Sequence, residues 1–342
     1  MGKVGAGAKK GAAKAAWVVL GVLLVAAIVA AQTGWMGYGW AQLKSKLLPR
    51  DESLLEWVPA DVSAVVIVDP HQVELAALGS EQGTARTALE RLRKDVDKAT
   101  DIDLVRDVDK LAISPSLLVA RGRFDREGLE KRLAEHRYAK LEHGGKPYLA
   151  RPGEDAIAVI DDDILLYGDE RSIQASIDAE ENETNLAKND KFKARLSRLG
   201  WDRAVLGTVQ MTDDRPSIRA MVTGSTGPRA ISFAARTKGG ASLEIHVEAA
   251  SPSAAEELTK LLEEKRVDAD KALSAQLGDE LSKLLGEAVK SATIKTDAPA
   301  STVIITTQVS QETLDASLKA LEKSTPLAEA YKTVRLFQLL AP

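Results

Sequence analysis

The 342 residues are 44% hydrophobic and 28% charged with a net charge of −4, a globular balance with room for roughly two domains. The small net charge excludes a general basic field for nucleic acid, and an aromatic content of 4% argues against a stacking platform. The absence of cysteine excludes disulfides, thiol nucleophiles and thiolate metal sites.

The chain opens with MGKVGAGAKKGAAK, a basic tail suited to lipid headgroups. Its Gly5, Gly7 and Gly11 miss the dinucleotide spacing, and no strand precedes them. From Ala15 to Leu43 no residue is charged. The densest apolar part, Trp17 to Ala31, reaches the roughly 20 residues a bilayer helix needs once it is extended to Trp35. A transmembrane helix is therefore predicted over 15–36, with Trp17 at one interface and Trp35, Tyr38 and Trp40 at the other. Cleavage after Ala31, as in a signal peptide, is the competing reading. Lys9, Lys10 and Lys14 flank the amino end, which places that end in the cytoplasm. The expected location is the cell inner membrane, single-pass, with the bulk of the chain periplasmic or otherwise extracytoplasmic. Small-residue pairs such as Ala26 and Ala30 leave the oligomeric state open.

Residues 37–57 read as a juxtamembrane connector. A first α+β domain is predicted over 58–212, beginning with the strand SAVVIVD and a helical region after Asp69-Pro70. The runs LAIS and SLLVARGRF follow, and Asp125 then caps a helix carrying Leu129 and Leu133. His143-Gly144-Gly145 and Asp161-Asp162-Asp163 are hairpin tips. Two helices, near 171–180 and 190–199, precede the strand AVLGTVQM. Residues 213–228 are rich in turn formers and read as a linker. A second domain over 229–325 contains AISFAARTK, ASLEIHVEAA, a helix after Ser251-Pro252, a leucine stripe from Leu273 to Leu285, ATIKTD, STVIITTQV and a last helix carrying Leu314, Leu318 and Leu321. Residues 326–342 form a carboxy-terminal segment. The expected fold class is α+β: a transmembrane helix, then two antiparallel-sheet domains with helices packed on the sheet in a ferredoxin-like or split arrangement. FDREGLEKRL at 124–133 overlays VSQETLDASL at 309–318, which suggests two related halves.

An apolar segment, Val58-Pro59-Ala60-Asp61 before a strand, and Gly122-Arg123-Phe124-Asp125 before a leucine-paired helix resemble a family of bacterial single-pass envelope proteins. The resemblance covers about residues 50 to 210. It implies a large extracytoplasmic α+β domain, a domain of unknown function, and it carries no activity.

Chemistry-bearing patterns are few. Asp95, Asp97, Asp101, Asp103, Asp107 and Asp109 suggest calcium, but the central glycine and closing glutamate of a calcium loop are missing, so a solvated connector is expected. Asp161, Asp162 and Asp163 fit a hydrated turn. His71, His136, His143 and His246 have no ligand-pair spacing. Gly224-Ser225-Thr226-Gly227 lacks nucleophile-elbow spacing, and Asn182-Glu183-Thr184 matches a glycosylation acceptor only as a common pattern. No catalytic, metal or cofactor residue is assigned, and no cofactor is expected. The function predicted is a membrane-anchored extracytoplasmic binding or scaffold protein of the envelope. Its partners would be the membrane, as an integral single span, and an envelope protein or lipid, with no nucleic acid. The alternatives are an extracytoplasmic hydrolase or metal-dependent enzyme, and a carrier of lipid or another apolar ligand.

Overall fold

A computed structural model describes residues 52–72, 102–103, 106–151, 153–211, 228–236, 241–274, 286–310 and 312. Its frame is a sheet of twelve strands in which every neighbouring pair is antiparallel. In chain order these are β1 Ala64–Val68, β2 Val108–Ile113, β3 Leu117–Gly122, β4 Ala139–His143, β5 Lys146–Ala150 and β6 Ala156–Ile160. They continue as β7 Ile164–Gly168, β8 Val205–Gln210, β9 Ala230–Arg236, β10 Ala241–Glu248, β11 Thr293–Asp297 and β12 Thr302–Val309. The helices are α1 Arg126–Glu135, α2 Glu170–Glu181, α3 Asp190–Leu199 and α4 Pro252–Ser274, with 3-10 helices at Glu52–Trp57 and Leu186–Lys188.

Local chemistry sets these boundaries. The Asp125 carboxylate accepts the Gly128 N–H at 3.0 Å, Asp169 accepts the Ser172 N–H at 2.7 Å, and Asn189 accepts the Phe192 N–H at 3.3 Å. Each cap satisfies a donor that the first helical turn leaves free. Gly144 and Gly145 have φ of 53° and 71°. Two positive φ values in a row are what a tight hairpin between twisted strands requires. At Gly207 the requirement is space, because a Cβ there would lie 2.4 Å from the Phe233 ring on the neighbouring strand.

The strand order is β11-β12-β10-β9-β8-β1-β2-β3-β7-β6-β5-β4. This corrects the expected pair of ferredoxin-like domains: β8 pairs with β1 on one side and β9 on the other, so a single sheet crosses both halves. The helices also occupy both faces of that sheet. Leu129 and Leu133 of α1 pack with Ala120, Val159 and Leu165, whereas Ile173 and Ile177 of α2 pack with Val119, Ala158 and Leu166 on the opposite side. Ala254, Ala255 and Leu262 of α4 pack on the α1 face, against Phe233, Leu243, Ile245 and Val303. The predicted transmembrane helix at 15–36 lies outside the described residues. Among those residues no helix is long and apolar enough to cross a membrane.

The order has an internal symmetry. Taking β1, β2, β3, β7 and β6 outward from the centre matches β8, β9, β10, β12 and β11 taken outward in the other direction. The β4–β5 hairpin is extra to the first half. This topology changes the expected repeat register, because β12 corresponds to β7 and not to β3. The sequence leaving β7, Ser-Ile-Gln-Ala-Ser-Ile-Asp-Ala at 172–179, matches Thr-Leu-Asp-Ala-Ser-Leu-Lys-Ala at 313–320, with Ala, Ser and Ala shared at the same three positions. That second stretch lies outside the described residues.

Candidate functional site

One row of residues on the α2/α3 face crosses most of the sheet. In register it reads Ala158, Leu166, Val119, Ala112, Ile67, Leu206, Ala234, Glu244, Thr306 and Thr293. The symmetry passes between Ile67 and Leu206. From Ala158 to Ala234 the row is apolar and lies under Leu54, Leu55, Ile173, Leu186, Phe192 and Leu196. Past Ala234 it turns polar, and there a cleft of about 460 Å³ opens. Burial of the apolar part follows from its side chains; the polar part would lose hydration without gaining partners under a helix.

Arg203 comes from the loop between α3 and β8, Arg236 ends β9, Ser242 and Glu244 come from β10, and Thr306 and Gln308 from β12. Ser242 stands between Arg236 and Gln308 in the sheet register. Hydroxyl groups of Thr293 and Thr306 are hydrogen-bonded at 2.6 Å across the outer pair of strands.

The electrostatics centre on Arg203. Its side chain is 8% exposed, with Nη1 donating to Asp202 at 3.1 Å and Nη2 3.9 Å from Glu244. Burial, followed by the like charge of Arg236, pulls the guanidinium below the usual arginine value, and Asp202 and Glu244 offset part of this. Glu244 is shared, since His246 Nε2 lies 2.9 Å from its other oxygen. Arg236 is exposed and forms no ion pair among the described residues. Two guanidinium groups therefore line one cleft, with Asp202 paired to Arg203 and Glu244 divided between Arg203 and His246. Such an arrangement suits a carboxylate or phosphate, which arginine binds through paired N–H donors.

A second charge pair lies farther along β10, on the same face as Glu244. Arg195 of α3 is buried, and its Nε and Nη2 donate to the two Glu248 oxygens at 2.8 and 3.3 Å. Nη1 of the same side chain has no hydrogen-bond partner. This bond pins α3 to β10 beside the polar region.

The residues weighed from sequence fall elsewhere. Trp17, Trp35, Tyr38, Trp40, Lys9, Lys10 and Lys14 lie outside the described residues, as do Asp95, Asp97 and Asp101. Asp103 and Asp107 cap one turn, with Asp107 accepting the Asp103 N–H at 2.9 Å and Asp103 accepting the Arg106 N–H at 3.2 Å. Asp109 lies 3.5 Å from the buried His71. Asp161 and Asp162 have positive φ in the hairpin tip, where the Asp162 and Asp163 carbonyls accept the Phe124 and Gly122 N–H groups at 2.9 Å. His143 contacts Asp178 of α2 at 2.7 Å. No group of three or more His, Cys, Asp or Glu that could hold a metal occurs among the described residues. Sequence reasoning missed Arg203 and Arg236. The one available signal was the alternation of Glu244, His246 and Glu248 on β10, which marks the polar face correctly but gives no hint of the arginines that meet it.

No protein-family model matches this chain, and no curated protein sequence does. Among solved structures, crystal form I of TP0453 is similar with a TM-score of 0.41 and 11% identity, covering 79% of this chain and 97% of that one. Crystal form IV of TP0453 gives a TM-score of 0.40 and 8% identity, covering 79% and 96%. At these values the likeness carries no argument about activity, and the function is read from the residues.

Proposed function

We propose that the chain is a non-catalytic binding or scaffold protein of the cell envelope, and that its polar cleft receives an anionic group of a partner. The observation that carries this reading is that the buried Arg203 and the exposed Arg236 line the same cleft, where the like charge of Arg236 adds to the burial cost at Arg203. A carboxylate or phosphate between them removes the repulsion and uses donors that the sheet leaves free. The polar row Glu244, Thr306 and Thr293 supplies neutral and acidic contacts around that centre. The charge-free run from Ala15 to Leu43 supports a place at the membrane, whether that run is retained or removed.

Calorimetric titration of the purified chain with inorganic phosphate and with citrate tests the binding. Either anion should bind, and Arg203→Ala should weaken binding by about tenfold or more, because a hydrogen bond to a charged group contributes roughly 1.5–3 kcal/mol. Absence of binding in the wild-type protein contradicts the reading. Cell fractionation tests the location separately: recovery with the soluble cytosolic proteins, amino terminus intact, would contradict an envelope role.

A further inference from the structure

The sheet ends on β4, whose outer edge pairs with nothing among the described residues. Ala139, Lys140, Leu141 and Glu142 are all exposed there, and Leu141, at 39%, is one of two large hydrophobic side chains exposed among the described residues. An open edge of this kind is a template for another strand unless something blocks it. Charged side chains usually supply the block, and β4 carries two, of opposite sign and two residues apart.

We propose that β4 pairs antiparallel with β4 of a second copy of this chain, centred on Leu141. The register follows from the hairpin. The two-residue turn Gly144-Gly145 makes His143 and Lys146 the hydrogen-bonded pair nearest the turn. Hydrogen-bonded positions alternate along an antiparallel ladder. Ala139, Leu141 and His143 therefore direct their backbone groups toward β5, while Lys140 and Glu142 direct theirs outward. Centring the contact on Leu141 sets Lys140 opposite the second copy's Glu142, and Glu142 opposite its Lys140. Both are the hydrogen-bonded pairs that the outward groups need, and both are opposite-charge pairs on one face. Leu141 meets its own symmetry mate at the closer, non-hydrogen-bonded position, on the other face. Glu142 forms no ion pair among the described residues, whereas Lys140 holds Glu130 of α1 at 2.7 Å and would bridge the two carboxylates. The opposite edge of the sheet lacks this self-complementarity, because pairing β11 with itself about its middle residue sets Lys295 against Lys295.

The contact is small beside a stable dimer interface, so the test captures it covalently. The chain has no cysteine, and Leu141→Cys introduces one at a position where the two Cα atoms would stand within disulfide reach. Mild oxidation of the full-length protein in detergent should link it into dimers, whereas Ile113→Cys, equally exposed on β2, should remain a single chain. In the Leu141→Cys background, Lys140→Glu or Glu142→Lys opposes like charges twice and should slow linkage on the order of tenfold. The double charge reversal, Lys140→Glu with Glu142→Lys, should restore it. Circular dichroism checks that each variant folds. Equal linkage of the two cysteine variants, no linkage at all, or a double reversal no faster than the single ones would each overturn the proposal.

Discussion

On the α2/α3 face of the amino-terminal half, Val119, Leu166 and Ala158 stand in one row across β3, β7 and β6. Their symmetry counterparts across β10, β12 and β11 are Glu244, Thr306 and Thr293. Strand order and pairing are the same along this row, and the side chains differ. In the first half a helix and a 3-10 segment close over the row and bury Leu166 completely. In the second, among the described residues, the row meets a cleft lined by two arginines. The same strand plan thus carries an apolar row in one half and a polar row in the other. The first half contributes stability through this face, and in the function proposed above the second half receives a partner there.

The sharpest way to break this comparison is to truncate matched positions. Leu166→Ala removes a fully buried side chain and should cost about 3 kcal/mol of unfolding free energy, by lost transfer energy plus a cavity. Thr306→Ala, at the matched position on an exposed polar row, should change stability by less than about 0.5 kcal/mol. Urea denaturation of both variants decides the matter, and equal losses would show that the polar row is also part of the core.

A smaller effect sharpens the boundary between the two regions. Glu248→Ala leaves the buried Arg195 guanidinium without its carboxylate and should cost about 2 kcal/mol. Its loss should also loosen α3 over β8, which faster hydrogen exchange of α3 amides would report. Unchanged exchange would mean that the apolar contacts of Phe192, Leu196 and Leu199 hold α3 without help.

Much of the local structure was legible in the chain. Gly144-Gly145 and the three aspartates from Asp161 marked hairpins that the structure contains, and Asp125 marked the start of α1. The assembly was not legible, for a physical reason. β8 and β1 join through pairing of residues far apart in the chain, and strands buried on both faces carry no alternation that would single out a neighbour. β9, reading AISFAAR with six of its seven residues buried, is such a strand and shows neither the join nor its faces. The repeat was visible only as an echo in the wrong register, because a strand followed by a polar cap and a spaced leucine or isoleucine pair recurs in the sequence after β3, β7 and β12 alike. Topology picked out the right pair. Arg203, Arg236 and Thr306 sit on a loop and two separate strands, and their meeting exists only after the sheet forms.

If the second half trades stability for recognition, the arginines must strain the protein when the cleft is empty. Thermal melting of wild type and Arg236→Ala, each with and without inorganic phosphate, measures this directly. The account predicts that Arg236→Ala melts no lower than wild type without phosphate, since a like charge beside Arg203 is gone. It also predicts that phosphate raises the wild-type melting temperature and leaves the variant's unchanged. A variant that melts lower than wild type and still gains the same stabilisation from phosphate would contradict the account.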